Sequence, residues 1–482
     1  MAVKKKVTFI MPPPLDGNQP VERVFGCNYG IYPIPNIFAL TTAAVLEEAG
    51  YDVAYVDGPV EGWKREDFLA FLRSDNTDLY CFYSVNLAVE TDVLAHALIR
   101  ELRGSVPVAF VGPAPTYTTD KFLIDEMSFA IRGEMDLTLR ELADALFKGG
   151  SLASILGLSY LKSGAALNND SRPLLHDLDS LPFPARHLID RNKYYNPKFG
   201  VRPVTAALTS RGCPHKCIYC VPNSLSFARE LEFKKGSGGA KPAVRQRSPE
   251  SIESEFKMLK ADGFRAVNVL DDQFPWGEKR TVEICERIAP LNLSWGCLAR
   301  ADYLNENIIK AMKKANCMFV DIGAESFEQP VLEFVKKEIE IERIEEAIRL
   351  LKENKIIVKL NMLLGSSPLE TKESILRNID IVKKLDPDGV MYSLASPFPG
   401  TDFYDMAKKE GWFVHGDYVP RDVRKEAIHS YPNLAKGELE SLIRHANFSF
   451  YLRPRFIARN LWRVVHPMEF YYASRSMIRK LF

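Results

Sequence analysis

The feature that most restricts this chain is an alternation of short apolar runs with amphipathic stretches, and it occurs twice. In the first 150 residues the apolar runs fall at 7–11, 52–56, 79–83, 106–111 and 129–131. The stretches 37–49, 65–73, 90–103 and 137–147 between them carry helical periodicity. Strands covered by helices on both faces read as continuous apolar runs, so the pattern predicts βαβ units and a doubly wound α/β sheet. Such sheets take ligands beyond the carboxyl ends of their strands. Here those ends are Ser84-Val85-Asn86, Gly112-Pro113-Ala114 and Arg132-Gly133-Glu134.

A second series starts near residue 200, with apolar runs at 204–208, 266–270, 293–297, 318–322, 357–364 and 389–394. Helical stretches at 249–261, 279–288, 305–315, 342–355 and 371–385 separate them. Six strand–helix repeats predict a partial or complete parallel barrel whose site lies at the carboxyl ends of its strands. Residues 151–199 read as a connector, held extended by prolines such as those in Asp177-Leu-Asp-Ser-Leu-Pro-Phe-Pro-Ala-Arg186. The Gly/Lys stretch 234–241 reads as a loop, and 416–482 as a helical region without further strands. The predicted division is therefore 1–150, 151–199, 200–415 and 416–482.

A chain of 482 residues exceeds what one core usually supports, in keeping with several domains. Its net charge of +1 gives no overall field for holding nucleic acid. Eight cysteines are too sparse for a disulfide framework in so long a chain, and three of them crowd into 213–220. That grouping points to a metal site in a reducing compartment. Lys4, Lys5 and Lys6 precede an apolar run that Pro12 stops, which reads as a first strand rather than a signal peptide. With no apolar run near the roughly 20 residues of a membrane helix, a cytoplasmic protein is expected. Peripheral attachment to a membrane surface is the alternative, through basic Arg453, Arg455, Arg459 and Arg463 beside apolar Ile457, Leu461, Val464 and Val465 and aromatic Trp462, Phe470, Tyr471, Tyr472 and Phe482. The competing reading is a terminal helix docked on the barrel with a solvated basic edge.

The cysteines stand in Thr209-Ser-Arg-Gly-Cys213-Pro-His-Lys-Cys217-Ile-Tyr-Cys220, directly after the first strand of the second series. Three thiolates at C-x3-C-x2-C spacing can hold three irons of a cubane and leave the fourth open to another ligand. Structural zinc takes four ligands in spaced pairs, and a second C-x2-C pair is missing, although His215 lies between two of the cysteines. Cys27, Cys285, Cys297 and Cys317 read as core thiols or carry no assignable role.

The cysteine loop, with Tyr219 before its last cysteine, resembles the radical SAM superfamily. The resemblance continues through Leu270-Asp-Asp-Gln-Phe274, Trp295-Gly-Cys-Leu-Ala-Arg300, Asp321-Ile-Gly-Ala-Glu-Ser326, Leu364-Gly365 and Ser396-Pro-Phe-Pro-Gly-Thr401, over roughly residues 200 to 410. Leu364-Gly-Ser-Ser-Pro-Leu-Glu-Thr371 departs from the usual G-x-P-G-E-T by an extra Ser and by Leu369. The resemblance implies a [4Fe-4S] cluster on Cys213, Cys217 and Cys220, and S-adenosyl-L-methionine (SAM) bound at its open iron. It implies Asp272 toward the methionyl ammonium, Arg300 toward the carboxylate, Glu325 and Ser326 toward the ribose, and Tyr219 on the adenine side. On the residues alone, Asp272 and Glu325 also read as turn formers or as ion pairs with Arg300.

The first domain lacks G-x-G-x-x-G after its first strand, against an ordinary dinucleotide site. Its order and the 178–186 connector resemble the cobalamin (B12) domain that precedes many radical SAM barrels. Cobalamin would meet Ser84, Val85, Gly112, Pro113 and Gly133, with Glu134 nearby. A D-x-H-x-x-G motif is missing and His96 is the only histidine of residues 1–150, so the resemblance implies cobalt without a lower imidazole ligand. The implied function is methylation of an unactivated carbon of a hydrophobic small molecule, through a 5′-deoxyadenosyl radical and methylcobalamin, with an external electron donor of flavodoxin or ferredoxin type. Ring closure or rearrangement without methyl transfer, as in the anaerobic magnesium-protoporphyrin ester cyclases, is the alternative enzyme. A transfer-RNA methylthiolating enzyme is disfavoured by the near-neutral charge and the lack of a basic carboxyl-terminal β-domain, and a non-catalytic cobalamin sensor by the full set of barrel motifs.

Overall fold

The computed structural model describes residues 4–24, 26, 29–220, 244–460, 470, 471, 474, 475 and 478. Cys27, the 234–241 stretch, and Leu461, Trp462, Arg463, Val464, Val465, Tyr472 and Phe482 lie outside the described residues. The chain forms two compact units, one built mainly from residues 1–194 and one mainly from 195–482. Of the described residues, 211–213 and 244–247 belong to the first unit, and 214–220 to the second.

The first unit holds a seven-stranded sheet of β1 (Lys6–Met11), β2 (Asp52–Asp57), β3 (Leu79–Tyr83), β4 (Val108–Val111), β5 (Ser128–Ile131), β6 (Leu158–Lys162) and β7 (Ala165–Asn168) in the order β2-β1-β3-β4-β5-β6-β7. The first five are parallel. The order reverses between β1 and β3, which makes that the place where a doubly wound sheet opens a ligand crevice. Every residue of β3 is buried, as a central strand covered on both faces requires. Residues 151–199 are not simply an extended connector: β6 pairs antiparallel with β5, and β7 with β6. Ser163 and Gly164, both at positive φ, make the two-residue hairpin turn between them. β7 is exposed at all four positions and so offers no apolar periodicity to read.

The second unit carries a parallel sheet of β8 (Val204–Ala207), β11 (Ala266–Val269), β12 (Ser294–Ala299), β13 (Cys317–Glu325), β14 (Ile357–Leu364) and β15 (Gly389–Leu394), hydrogen-bonded in sequence order. The numbering leaves room for a separate two-stranded ladder, β9 (Ser210–Arg211) with β10 (Arg245–Gln246). Helices alternate with the barrel strands, among them Pro249–Ala261, capped by the Ser248 side chain, and Lys372–Leu385, opened by a Thr371–Ser374 capping box. Each barrel strand buries one face against these helices: Trp295, Cys297, Val320, Ile322, Val358, Leu360, Val390 and Tyr392 join one core with Ile284, Ile309, Ile344 and Ile379. On β14 the other face stays half-buried at every second position. The inner side of the sheet is therefore lined rather than packed solid. Below it, Phe199, Val204, Ala266 and Phe319 form a plug.

The carboxyl-terminal region is less helical than its composition predicts. Residues 411–435 run irregularly, with isolated bridges Phe413–His429 and Tyr431–Leu434, before the helices Lys436–Tyr451 and Pro454–Asn460. Its basic edge is spent on docking: Arg453, Arg455 and Arg459 all reach Asp386, at 3.0, 3.2 and 3.4 Å. Arg453 and Arg459 also donate to the carbonyls of Lys383 and Pro387. The described part of this segment thus follows the docked-helix reading rather than the lipid-facing one. Among the described residues no helix is long and apolar enough to cross a membrane.

Candidate functional site

At the carboxyl ends of the barrel strands the second unit gathers a dense polar network. Asp271, following β11, accepts from Thr209 N (2.6 Å), Thr209 Oγ1 (2.5 Å) and Ser210 Oγ (2.7 Å). Burial pushes its carboxyl up to about 6 against those bonds. Trp276 Nε1 donates to Ser210 Oγ at 3.1 Å and its ring meets Tyr303 edge-on, while the Tyr303 hydroxyl lies 3.3 Å from His215 Nε2. His215 of the cysteine loop is thus held from the end of β12. Ile218 N donates to Val335 O, and Ile218 O accepts from Phe403 N.

Cys213 and Cys217 are half-buried and Cys220 is exposed, whereas Cys81, Cys285, Cys297 and Cys317 are buried. Among the described residues no three His, Cys, Asp or Glu side chains already form a metal-holding group. The Tyr219 phenol is raised well above its ordinary value by desolvation, then by the nearby Glu325, Cys217 and Cys220.

Glu325 closes β13 in the left-handed region, at φ 66°, beside a register shift against β14. A non-glycine residue there is strained and persists only where its surroundings hold it. The holder is Lys337, whose Nζ lies 3.1 Å from Glu325 Oε1. Lys337 is itself flanked by Lys336 and Glu338, both at positive φ, so three strained residues aim one buried ion pair. Burial works against the Lys337 charge, but Glu325 and Cys217 outweigh it and raise the ammonium pKa. Gly323 makes room for the pair, since a Cβ there would stand 2.7 Å from Glu325 Oε1 and 3.0 Å from Lys337 Nζ. Arg300 Nη2 donates to the carbonyls of Lys337 (2.8 Å) and Glu338 (3.2 Å), its guanidinium pairs with Asp302, and its amide donates to Gln273 Oε1.

Of the residues singled out from sequence, Glu325, Arg300 and Cys217 therefore meet at Lys337, a lysine that sequence reasoning missed, and Tyr219 lies near Glu325 and Cys217. Among the described residues Arg300 pairs with Asp302 and Glu325 with Lys337. Asp272 is half-buried next to the bonded Asp271. Ser326 Oγ is engaged in a turn, accepting from Glu328 N and donating to Asn378 Oδ1. The departing loop after β14 is firmly built: Glu370 accepts from Ser367 N (3.0 Å) and Ser366 Oγ (3.3 Å), while His429 Nε2 and Tyr431 Oη donate to the Gly365 carbonyl at 2.7 and 3.0 Å.

In the first unit the loop ends meet as follows. Ser84 N donates to Val111 O at 2.7 Å and Ala114 N to Ser84 O at 3.2 Å. Gly112 stands at φ 104°, where a Cβ would come 2.8 Å from Ser84 O, so only glycine fits. Ser84 Oγ donates to Asp92, and Arg23 clamps Asp92 through two bonds and the Tyr83 carbonyl through a third. Gly26 is packed against the Val85 side chain. The Gly133 amide is committed to Thr116 Oγ1 at 3.0 Å. Glu134 is not at liberty beside the crevice, because it accepts from Leu175 N and from Arg245 at 2.5 Å. Arg211, two residues before Cys213, is bound to Asp136 at 2.7 Å in the same buried network. His96 is buried against Phe110 and bonded to Ser128 Oγ, with burial lowering its pKa to about 4.

Residues 208–377 match the radical SAM superfamily. Over 479 residues, 98% of each chain, the sequence is 28% identical to an uncharacterized methyltransferase of Pyrococcus horikoshii. It is 23% identical over 382 residues to the anaerobic magnesium-protoporphyrin IX monomethyl ester cyclase of Rubrivivax gelatinosus, covering 77% of this chain and 66% of that one. The fold is similar to that of the cobalamin-dependent SAM radical enzyme OxsB, solved with aqua-cobalamin and SAM bound: TM-score 0.72 at 16% identity, covering 97% of this chain and 72% of the other. The chain accordingly carries a radical SAM domain, on a fold shared with a cobalamin-dependent radical SAM enzyme.

Proposed function

We propose that this protein is a cobalamin-dependent radical SAM enzyme that methylates an unactivated carbon of a small molecule. The observation that carries the reading is the C-x3-C-x2-C loop following the first strand of a six-stranded parallel barrel sheet, with Cys217 beside the strained Glu325–Lys337 pair. The donor set fits a cluster: three cysteines in one loop retain solvent access, while the other described cysteines are core thiols. Bound there, the cluster supplies the electron that cleaves SAM, and cobalamin supplies the methyl group.

The chain's own residues position and exclude water. Cys213, Cys217 and Cys220 would hold the cluster. Tyr219 and Asp272 would border SAM, and Glu325, fixed by Lys337, would present its carboxylate to hydroxyl donors. Arg300 shapes the site by holding the 337–338 segment, and Ser326 by its turn. In the first unit Ser84, Val85, Gly112, Pro113 and Gly133 would border cobalamin, the positive φ of Gly112 leaving the β4 end without a side chain. Glu134 would act one step removed, through Arg245. His96 is committed to the core, which fits cobalt without an imidazole from residues 1–150. The electron comes from a flavodoxin- or ferredoxin-type donor. The Pyrococcus relative's name supports methyl transfer, and the Rubrivivax cyclase supports ring closure as a second reading. Product made with methyl-deuterated SAM decides: label in the product supports methylation, and an unlabelled ring-closed product formed with 5′-deoxyadenosine rejects it.

A further inference from the structure

A buried arginine of the first unit turns its fork away from the carboxylate it pairs with. Arg245, on β10, is 5% exposed and donates only through Nη1, to Glu134 Oε1 at 2.5 Å and to the Leu175 carbonyl at 3.1 Å. Its Nε and Nη2 are buried without a hydrogen-bond partner, and among the described residues no other side chain leaves two such atoms. Nε–H and one Nη2–H form the side-on fork of the planar guanidinium, two parallel donors spaced for the paired oxygens of a carboxylate or phosphate. The fork lies opposite Nη1 across the plane of the group, so it faces away from Glu134.

Glu134 is satisfied without the fork. Its Oε2 accepts from Leu175 N at 2.9 Å, and Arg211 Nη1 stands 3.7 Å from Oε1 beside the Arg245 bond. Arg211 in turn binds Asp136 Oδ2 at 2.7 Å, while Asp136 Oδ1 accepts from Thr42 Oγ1 at 2.9 Å. Two guanidinium groups and two carboxylates, all buried, thus balance in charge within the first unit. An arginine that served only to neutralise Glu134 would present its fork to it, because the bidentate pair is the stronger arrangement. Buried N–H groups left unmade are costly, and a partner on the fork recovers that cost.

We infer that the Nε/Nη2 fork of Arg245 is an oxyanion site. Glu134, its partner on the other side, directly follows Gly133 at a strand end proposed to border cobalamin. The oxyanion is therefore the phosphodiester of the cobalamin nucleotide tail, the anionic group of a molecule whose corrin side chains are neutral amides, or else a separate phosphate or carboxylate. The first source rests on the cobalamin reading; the second does not.

The test titrates the anaerobically reconstituted full chain with aquacobalamin and with diaquacobinamide, which keeps the corrin ring but lacks the phosphodiester and nucleotide, following visible absorbance. In parallel, the urea midpoint is read in sodium phosphate, sodium acetate and sodium chloride at equal ionic strength. Arg245→Lys keeps a cation for Glu134 but has no fork. Arg245→Gln/Glu134→Gln removes both charges together, strands neither, and serves where the lysine chain does not fold. The wild type should bind cobalamin about tenfold more tightly than cobinamide, a difference of about 1.4 kcal/mol, and both variants should lose that preference while binding cobinamide as before. Where the corrinoids bind alike, a midpoint raised by phosphate or acetate in the wild type and not in the variants assigns the fork to a separate anion. If neither the corrinoid preference nor the response to anions depends on Arg245, the oxyanion site is overturned. Binding of neither corrinoid with an Arg245-dependent response to anions rejects the cobalamin reading and keeps the site; binding of both corrinoids with no Arg245-dependent difference rejects the site alone.

Discussion

Glu370→Gln should make the protein more stable at alkaline pH and leave it nearly unchanged in acid. Glu370 is buried in the loop after β14, and burial raises its carboxyl to about 7 from an ordinary 4.5 despite the bonds from Ser366 and Ser367. Below pH 4.5 folded and unfolded chains both carry the proton, and the stabilisation is fully present. Between 4.5 and 7 the unfolded chain releases its proton while the folded chain keeps it, so stability falls as pH rises. The difference of some 2.5 units corresponds to a loss of about 3 kcal/mol by pH 8. Glutamine stays neutral and escapes that loss. His429, lowered to about 4 by burial, acts in the opposite sense, losing stability as pH falls from 6.5. Because it is common to both chains, the quantity to read is the variant minus the wild type. Trp412 reports the locality, since its ring lies 4.9 Å from Tyr431, which donates to the Gly365 carbonyl. Urea unfolding followed by tryptophan fluorescence at pH 5 and pH 8 should show a gain of about 1 kcal/mol or less at the first and about 3 kcal/mol at the second. A gain or loss independent of pH would refute the reasoning.

Lys337→Met strands the buried Glu325 carboxylate and should cost about 3–5 kcal/mol; a Lys337→Met/Glu325→Leu chain should recover much of that in the same unfolding assay, and no recovery would mean the pair is not the origin of the loss. Alanine at Cys213, Cys217 or Cys220 should abolish iron binding, whereas Cys297→Ala should leave it intact by elemental analysis, because Cys297 is a core thiol. Gly112→Ala meets both the positive φ and the Ser84 carbonyl, and should cost upwards of about 1–2 kcal/mol and lower retained cobalamin in the visible spectrum; retention at the wild-type level would remove β4 from the cobalamin crevice.

Legibility in the sequence followed the range over which each feature is decided. β3, residues 79–83, is set by an unbroken apolar run and β14, residues 357–364, by one interrupted at Lys359 and Asn361, and those bounds are the ones observed. The β6–β7 hairpin was hidden because β7 is wholly exposed, leaving Ser163-Gly164 as its one local mark. The cysteine loop is legible because its spacing lies within eight residues. Lys337 is not, because its role comes from positive φ at Lys336, Lys337's neighbour, and at Glu338 and Glu325, and non-glycine residues leave no trace of that conformation in sequence. At Asp271-Asp272 successive side chains at a strand end diverge, so composition cannot tell which carboxylate meets Thr209 and Ser210; it is Asp271. The arginines after residue 452 looked suited to lipid because their partner, Asp386, lies more than sixty residues earlier.

The most direct measurement is anaerobic reconstitution followed by iron and sulfide analysis, electron paramagnetic resonance of the reduced chain, and chromatography for 5′-deoxyadenosine after adding SAM. The account predicts about four irons and four sulfides per chain, a reduced-cluster signal that changes when SAM is added, and 5′-deoxyadenosine that disappears in the Cys217→Ala chain. Stoichiometric zinc in place of iron, or a full cluster whose signal ignores SAM, would contradict it.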